Sequence, residues 1–408
     1  MQSEQLVKKL NVKNRFLRQL ILTCLKKREN RDSSLKPIER SGANLNVHTY
    51  YSFSPYSPAF AAYMAYRSGI KIAGICDFGT VSGSKEFEKS CKILGLSNIS
   101  GFEISARSEV LGNFSVCLYG VNKNNEEMFS SYLLDFSELL KKRAESAAGL
   151  VRNRLEKFDM SLSFEEDVLP LIDLKNGGVV TLKHVYMAEA QKIIEKFGKG
   201  KTTADFLRND LCLDIAEGEY NLLCDANDPC YLYDLLSTLK NHSKLSLKEE
   251  DYPLAAQITA IAHDSGAIAV YEYECKYGWL ELETESKKAI SEFSALLDKI
   301  KGEGFNAVGL CSREYGKNAL SLFVKAIKEK NMLVVLNDKT EYPRSLFKPN
   351  PPDDAKQYIE TCAYAVLGNA MSICECLSDG MFSDKTLIKC PAFEERLSVF
   401  SAIGKKNQ

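Results

Sequence analysis

Short apolar runs and amphipathic stretches alternate in two separate parts of the chain. Seven apolar runs have the length of buried strands, at residues 43–49, 71–77, 99–106, 114–121, 267–274, 306–312 and 332–337. Apolar residues at helical spacing predict amphipathic helices between them, at residues 57–68, 84–94, 285–301 and 317–330. Such short strand–helix units are typical of parallel strand pairing, so the pattern predicts an α/β fold.

The helix predicted at residues 57–68 has clear boundary signals. Ser57 is a suitable N-cap, Pro58 suits the first turn, and Gly69 suits a left-handed C-terminal cap. The strand before it therefore ends close to a helix start, which is how barrels and doubly wound sheets present functional residues.

The middle of the chain differs, because helical spacing dominates from about residue 126 to residue 265. Helices are predicted at residues 132–157, 164–174, 184–197, 204–211, 229–241 and 254–263. Only residues 177–182 have the pattern of an extended segment. We interpret this part as a helical insertion. Two more helices, near residues 354–368 and 392–403, are predicted to end the chain.

The first 30 residues are predicted to form one amphipathic helix. Phe16, Leu20 and Cys24 repeat at four-residue spacing, with Leu17 and Ile21 beside them, and the helix is expected to pack on the main domain. Residues 1–31 contain nine Lys/Arg and two Glu. The basic face is interpreted as solvated, with contact to an oligomer partner or to an anionic surface as the alternative. Residues 31–42, with Pro37 and Gly42, are predicted to be a linker.

Together these elements predict a distorted barrel of seven strands, with an open doubly wound sheet as the alternative. The predicted organisation is an N-terminal helical extension and linker (1–40), a first part of the barrel (41–124), the helical insertion (125–253), and a second part of the barrel with C-terminal helices (254–408).

The amino-acid composition limits which partners and which cellular location are expected. The 408 residues are 45% apolar and carry 53 basic and 54 acidic side chains, so the balance does not predict a nucleic-acid partner. Thirteen cysteines occur without a CxxC pair and without a signal-peptide pattern at the N-terminus, which favours a reduced, cytoplasmic protein. No apolar run has the length of a membrane span, so no membrane association is expected.

The predicted strands end in residues that could form a polar pocket. His48, Asp77 and Glu103 are of the types that bind divalent metals and activate water. Arg313, Lys339 and the nearby Arg344 suit phosphate binding. Since functional residues of such folds collect at the carboxyl ends of strands, a phosphorylated ligand is expected there.

Each of these residues also has a structural interpretation. His48 could hydrogen-bond a backbone group, and Asp77 could cap the turn before the next helix. Arg313 and Arg344 could form structural ion pairs. Cys117, at the end of the fourth strand, has the character of a small core residue.

These stretches resemble the PHP family, named for polymerase and histidinol phosphatase domains. Its motifs Asp-x-His-x-His-Thr, Thr-Asp-His and Gly-x-Glu correspond to residues 44–49, 76–78 and 101–103. Residues 180–185, 304–308, 312–313, 342–344 and 367–369 resemble motifs of a branch with a helical insertion. The resemblance covers roughly residues 40 to 400. It implies a distorted seven-stranded barrel that, in active members, holds two or three metal ions and hydrolyses phosphate esters.

The sequence departs from this pattern at most metal-binding positions. Asn46, Phe78 and Cys117 stand where the resemblance implies metal-binding histidines, and the histidine expected near residues 271–273 is also replaced. His48 and Glu103 are kept. Because a cluster of metal ions needs several converging ligands, the resemblance implies a degenerate site without a cofactor.

Two hypotheses concern what remains at that site. If a metal is bound, we expect one Zn, Mn or Fe ion held by His48, Glu103, Cys117 and Asp338, with Glu272 as a further donor. Alternatively, Lys339 replaces the charge of the metal by neutralising carboxylates or by contacting a bound phosphate.

Three functions are therefore considered. The first is a degenerate PHP protein that binds a phosphorylated ligand or a partner, with phosphate contacts from Lys183, Arg313, Lys339 and Arg344. The second is an active metal-dependent phosphoesterase in which His48, Asp77 and Glu103 are catalytic. The third, a nucleic-acid-associated protein, is supported only by the basic N-terminal helix. A homo-oligomer is a further possibility.

Overall fold

Seven strands form one sheet that curves into a nearly closed barrel. The computed structural model describes residues 2–31, 39–243, 245–247, 252–274 and 286–406. The strands follow one another in chain order across the sheet. Their bounds are β1 Ala43–Val47, β2 Ile72–Phe78, β3 Ser97–Ser108, β4 Gly112–Tyr119, β5 Ile268–Glu272, β6 Ala307–Leu310 and β7 Leu333–Leu336. The seven predicted strands are confirmed, with ends that differ by a few residues.

The barrel closes where β1 meets the segment after β7. Val47 and Thr340 form a parallel bridge, and the Thr340 N–H donates to the Asn46 carbonyl at 3.2 Å. The Asn44 side chain adds a hydrogen bond of 2.9 Å to the carbonyl of Asp338. This closure confirms the predicted barrel and excludes the open sheet.

Strand direction follows the prediction except at β4. β1, β2 and β3 pair in parallel, as do β5, β6 and β7, whereas β4 runs antiparallel to both β3 and β5. Only residues 109–111 connect β3 to β4, and so short a connection permits only a hairpin. Parallel pairing was thus wrong for β4, whose antiparallel register places Cys117 opposite Glu103 of β3.

Helices surround the barrel on the outside and continue in the insertion. Their bounds are α1 Gln2–Lys8, α2 Arg15–Arg31, α3 Pro58–Ser68, α4 Ser84–Leu94, α5 Ser130–Leu155, α6 Leu182–Phe197, α7 Lys201–Asp205, α8 Glu217–Cys224, α9 Tyr231–His242, α10 Ala255–Ser265, α11 Ser286–Gly302, α12 Lys317–Glu329, α13 Asp353–Cys374, α14 Asp384–Lys389 and α15 Phe393–Lys406. The capping signals of α3 are confirmed: the Ser57 side chain accepts from the Phe60 N–H, and Gly69 has φ 80°. No helix in the described ranges combines the length and apolar character needed to cross a membrane.

The insertion has a hydrophobic core of its own, formed by α5, α6, α9 and the short segments between them. The predicted extended segment at residues 177–182 forms no strand; Thr181 has an extended backbone, and α6 begins at Leu182, the last residue of that segment. His184 explains this start. Its Nδ1 accepts from the Thr181 N–H at 3.0 Å, which satisfies a donor that the first turn leaves open. Burial lowers the pKa of His184 to about 3, and the ring packs against Phe53.

The N-terminal region forms two helices that pack on α3 and α4, not the single helix that was predicted. Ile21, Leu22 and Leu25 of α2 are buried, whereas Phe16 and Leu20 are exposed. Of the five apolar residues that the spacing singles out, Ile21 is buried and the other four are exposed, because α2 has apolar residues on two sides and periodicity alone does not tell which side is covered. Most of the predicted linker, residues 32–38, lies outside the described residues.

A buried ion pair attaches α2 to the barrel. Arg18 is completely buried and donates to Glu86 of α4 at 2.7 Å from Nε and at 2.5 Å from Nη2. Its remaining donors reach the carbonyls of Val12 and Lys13 and the hydroxyl of Tyr50. Tyr50 follows the end of β1 by three residues, so this pair also supports the loop that carries His48.

We predict that Glu86→Ala lowers the free energy of unfolding by about 3 kcal/mol, because it leaves the Arg18 guanidinium buried without its counter-charge. Urea unfolding measures this. Lys85→Ala is the control: Lys85 lies next in sequence but forms a largely exposed pair with Glu126, so its change should stay within about 0.5 kcal/mol. Equal effects of the two substitutions would contradict the assigned role.

Candidate functional site

A cavity of 970 Å³ lies between the mouth of the barrel and the insertion. The barrel side contributes His48, Glu272 and Lys339 at or near strand ends, and Glu103 from within β3 at the level where β2 ends. The insertion side contributes Thr181, Leu182 and Lys183 at the start of α6, Lys240 from α9, and Arg143 from α5. Most of the residues singled out from the sequence therefore lie in or beside one cavity, as the strand-end argument predicts.

Asp77 organises the loop after β1 and does not line the cavity. Its carboxylate accepts from the Thr49 N–H and hydroxyl, both at 2.6 Å, and from the Ser52 hydroxyl at 2.8 Å. Burial raises the pKa of Asp77, an effect that His48 and these hydrogen bonds oppose. Asp77 thus holds the turn that follows His48, in agreement with the structural interpretation of this residue.

His48 lies between Ser52 and Glu103. Its Nδ1 is 3.3 Å from the Ser52 hydroxyl oxygen, whose hydrogen is donated to Asp77, so Nδ1–H is the donor of that contact. Its Nε2 is 3.3 Å from Oε2 of Glu103, without hydrogen-bond geometry. A doubly protonated ring would therefore donate on one side and attract the Glu103 carboxylate on the other.

Glu103 is buried and carries a compensated negative charge. Lys339 Nζ lies 2.6 Å from Glu103 Oε1. Burial alone would raise the pKa of Glu103, but Lys339 and His48 together lower it below its usual range. The same contact holds the pKa of Lys339 well above its usual value, against the effect of burial. Lys339 and Glu103 are thus a charged pair at neutral pH.

Glu272, the last residue of β5, has the opposite character. Burial raises its pKa to about 7, with a further contribution from the charge of Glu103, while Lys339 and a hydrogen bond from Asn337 oppose the shift. Gly309 on β6 leaves room for it, since a Cβ there would lie 2.3 Å from Glu272 Oε1. Glu272 can therefore gain or lose a proton near neutral pH.

Cys117 lies in the barrel interior, opposite Glu103 in the β3–β4 register. It is completely buried, its Sγ is 3.9 Å from the Asn46 Nδ2, and burial raises the pKa of its thiol well above the usual value. A buried thiol of this kind stays protonated, which agrees with the interpretation of Cys117 as a core residue.

Lys183 and Lys240 bring positive charge from the insertion. Lys183 forms an ion pair with Glu341, and burial of Glu341 is outweighed by Lys183, His48 and Lys339, which lower its pKa to about 2. Lys240 forms no ion pair with any residue that the structure describes. The surrounding protein first, then the positive charge of Lys183 and Lys339, lower the pKa of Lys240, although Glu341 and Glu274 oppose this and the Lys240 side chain is itself exposed to solvent.

Three other predicted site residues bond to groups of the protein itself. Arg313 lines the cavity but donates to the carbonyl of Lys339 at 2.9 Å. Asp338 is fully buried and accepts from the Ser312 N–H and hydroxyl at 2.5 and 2.6 Å. Arg344 lies outside the cavity lining and forms ion pairs with Asp228 and Asp234, which attaches its loop to α9.

The residues proposed as metal ligands do not all converge on one point, although His48 Nε2 lies 3.3 Å from Glu103 Oε2. Asp338 is directed to Ser312, and the Glu103 carboxylate already contacts the ammonium group of Lys339. Within the described parts of the chain, no group of three or more His, Cys, Asp or Glu side chains has an arrangement that could hold a metal ion. The donors that are present therefore do not fit a metal site, and we derive no step through a metal.

Sequence reasoning missed Lys240, Glu341 and Ser52 as cavity residues. Lys240 is near the end of a helix in the insertion, and nothing in its local pattern places it over the barrel. Glu341 follows Lys339 by two residues, and Ser52 follows His48 by four. Their proximity to predicted site residues was the available signal for both.

Similarity to known proteins supports the fold. No family model matches the chain. It is 29% identical over 114 residues to a 5'-3' exoribonuclease of Haemophilus influenzae, a match that covers 28% of this chain and 39% of that protein. The match thus spans well under half of the relative.

Two solved structures share the overall architecture. A protein from Bifidobacterium adolescentis described as a metal-dependent phosphoesterase has a TM-score of 0.52 and 15% identity, over 80% of this chain and 98% of its own. An amidohydrolase from Chromobacterium violaceum, solved with bound sulfate and no metal, has a TM-score of 0.53 and 11% identity, over 79% and 96% of the two chains. The chain therefore shares the α/β barrel fold of these two proteins.

We predict that the stability of the protein decreases from about pH 5 to about pH 8 and that Glu272→Gln removes much of this decrease. The pKa of Glu272 is raised on folding, so its protonated form stabilises the folded state at low pH, and this contribution is lost as pH rises through about 7. The difference can reach about 3 kcal/mol. Thermal unfolding across this range measures it.

Glu127→Gln, at an exposed position, is the control for that series and should leave the pH dependence unchanged. Parallel curves for the parent and Glu272→Gln would show that Glu272 does not titrate in this range.

Proposed function

We propose that the chain binds a phosphorylated ligand in the cavity, that it does so without a metal ion, and that it has lost the metal-dependent hydrolysis of phosphate esters. The observation that carries this proposal is the set of three lysines, Lys183, Lys240 and Lys339, that line one cavity, with Lys240 lacking an anionic partner among the described residues.

The mutual repulsion of these lysines supports an anionic ligand. Desolvation is the largest cause of the lowered pKa of Lys240; the charges of Lys183 and Lys339 add to it, and those of Glu341 and Glu274 oppose it. A bound phosphate would reverse this effect, because its oxygens accept hydrogen bonds from several ammonium groups at once. The helix start is a second favourable feature, since Thr181, Leu182 and Lys183 bring the amino end of the 16-residue α6 to the cavity.

Polar atoms without a protein partner point to the same region. His48 Nε2 and the Tyr342 hydroxyl are buried, and neither has a hydrogen bond within the described parts of the chain. Both residues line the cavity. Buried polar groups are normally satisfied, so a ligand or water that contacts them would complete the site.

The Lys339–Glu103 pair supports binding in place of metal chemistry. An ammonium group in contact with the carboxylate supplies positive charge where a metal ion would otherwise have to supply it. Unlike a metal ion, it cannot lower the pKa of a bound water to generate hydroxide at neutral pH. The chain is thus suited to recognise a phosphate group better than to cleave its ester.

A second candidate function is phosphoester hydrolysis with a reduced metal site, RNA included among the substrates. The contact of His48 with Glu103 favours it, as does the similarity to an exoribonuclease and to a metal-dependent phosphoesterase. In this case a single ion would use His48 and Glu103, and Lys339 would have to move away from the carboxylate.

We predict that pyrophosphate binds to the protein in the presence of EDTA and that Lys240→Ala weakens binding by about tenfold or more, the effect of removing one charged hydrogen-bond donor. Isothermal titration calorimetry measures the affinity. Lys85→Ala removes an exposed lysine outside the cavity and should bind as the parent does. Equal affinity of Lys240→Ala and the parent, or binding that requires added metal, would contradict the proposal.

We further predict no turnover of p-nitrophenyl phosphate or of a short single-stranded RNA above the uncatalysed rate, with or without added Mn²⁺ or Zn²⁺. A coupled phosphate assay and gel analysis of the RNA measure this. Metal-stimulated turnover by the parent that disappears in Glu103→Ala would establish the hydrolase instead, and turnover that persists in Glu103→Ala would indicate a contaminating enzyme.

A further inference from the structure

One face of α2 exposes apolar side chains. Phe16, Leu17 and Leu20 have exposed fractions of 72%, 44% and 48%, and Cys24 on the next turn is also exposed. The opposite side of the same helix, with Leu22 and Leu25, is fully engaged in the core beneath it. The exposed residues are therefore not needed for folding of the domain, and no other part of the described chain covers them.

Positive charge lies on the same face. At about 100° per residue, the positions of Lys27, Arg28 and Arg31 continue the side of the helix that carries Leu20 and Cys24. All three basic residues are exposed, as is Lys13 just before the helix. The single acidic residue of α2, Glu29, is turned to Arg67 and Tyr63 of α3. The face thus has an apolar amino-terminal half and an uncompensated basic half.

The basic side chains of this face indicate which kind of partner could bind to it. A second copy of the chain would place the same basic residues against each other, or against apolar side chains, without an acidic residue to pair with. A partner protein would need an acidic groove that receives a protruding ridge. Apolar side chains flanked by Lys and Arg on a helix that lies flat on its domain suit the interface of an anionic lipid bilayer.

We propose that the exposed face of α2, formed by Phe16, Leu17, Leu20, Cys24, Lys27 and Arg28, binds the protein to anionic membrane surfaces. Phe16 and Leu20 enter the boundary between headgroups and acyl chains, while Lys27 and Arg28 contact acidic headgroups. The sequence-based expectation of no membrane association rested on the lack of a membrane-spanning run, and contact of the basic helix with an anionic surface was kept as an alternative. The proposal does not depend on the ligand in the cavity.

The buried Arg18 fixes α2 to the rest of the domain, which favours binding through its outer face. Because Arg18 joins Glu86 and Tyr50 from the inner side of α2, the helix is held as part of the domain while its outer side is free. A bilayer would therefore bind the whole domain through a preformed helix and would not have to induce one, which removes the cost of helix formation from binding.

Cosedimentation of the full chain with sucrose-loaded vesicles tests the proposal. We expect binding to vesicles of phosphatidylcholine with 30% phosphatidylserine and little binding to phosphatidylcholine alone. Phe16→Ser with Leu20→Ser, and separately Lys27→Glu with Arg28→Glu, should each lower the partition coefficient by about tenfold or more, since each pair removes two side chains that contact the bilayer.

The matched control is Leu377→Ser with Ile388→Ser, which removes two side chains that are 67% and 81% exposed elsewhere on the surface. This variant should bind as the parent does. Circular dichroism and thermal unfolding establish that all variants are folded, as expected for exposed positions. Equal binding to both kinds of vesicle, no binding to either, or unchanged binding by the α2 variants would overturn the proposal. So would a dimer seen by light scattering that dissociates in Phe16→Ser with Leu20→Ser, because the face would then join two copies.

Discussion

The contact of Lys339 with Glu103 is the interaction on which the site depends. A carboxylate as buried as that of Glu103 needs a positive neighbour to remain charged, and Lys339 provides it at 2.6 Å. Lys339 reaches this position because the segment after β7 is joined to β1 next to it, through the bridge of Thr340 with Val47. Closure of the barrel and neutralisation of its central carboxylate therefore occur together, and the charge balance of the cavity follows from the fold.

The insertion turns this barrel mouth into a cavity. It adds the amino end of α6 and two lysines, and it attaches to the barrel side through Lys183 with Glu341 and through Arg344 with Asp228 and Asp234. The residues that the sequence predicted to bind phosphate thus have different roles. Lys183 and Lys339 keep a charged group at the cavity, whereas Arg344 is occupied by an ion pair that joins the two parts of the chain. The site we propose is consequently shared by the barrel and the insertion.

The sequence predicted what depends on local pattern. The seven strands, the insertion and the caps of α3 could be found from apolar spacing and from Ser57 and Gly69, because short-range sterics and hydrogen bonds determine them. Long-range packing decided the rest. The direction of β4 depends on a three-residue connection, the buried side of α2 depends on the surface it meets, and Lys240 reaches the cavity only through the packing of the insertion. Asp338 and Arg344 are of the residue types that bind metal and phosphate. Their contacts with Ser312 and Asp228 form only in the folded chain and could not be predicted from the sequence.

The central claim is that positive charge from lysine, without a metal ion, prepares this cavity for a phosphate group. The most direct measurement is a crystal structure of the pyrophosphate complex, with anomalous scattering recorded at the zinc, iron and manganese edges. We expect phosphate density within hydrogen-bond distance of Lys240 and Lys183, Lys339 still paired with Glu103, and no anomalous peak beside His48. An anomalous peak between His48 and Glu103, with Lys339 displaced, would contradict it.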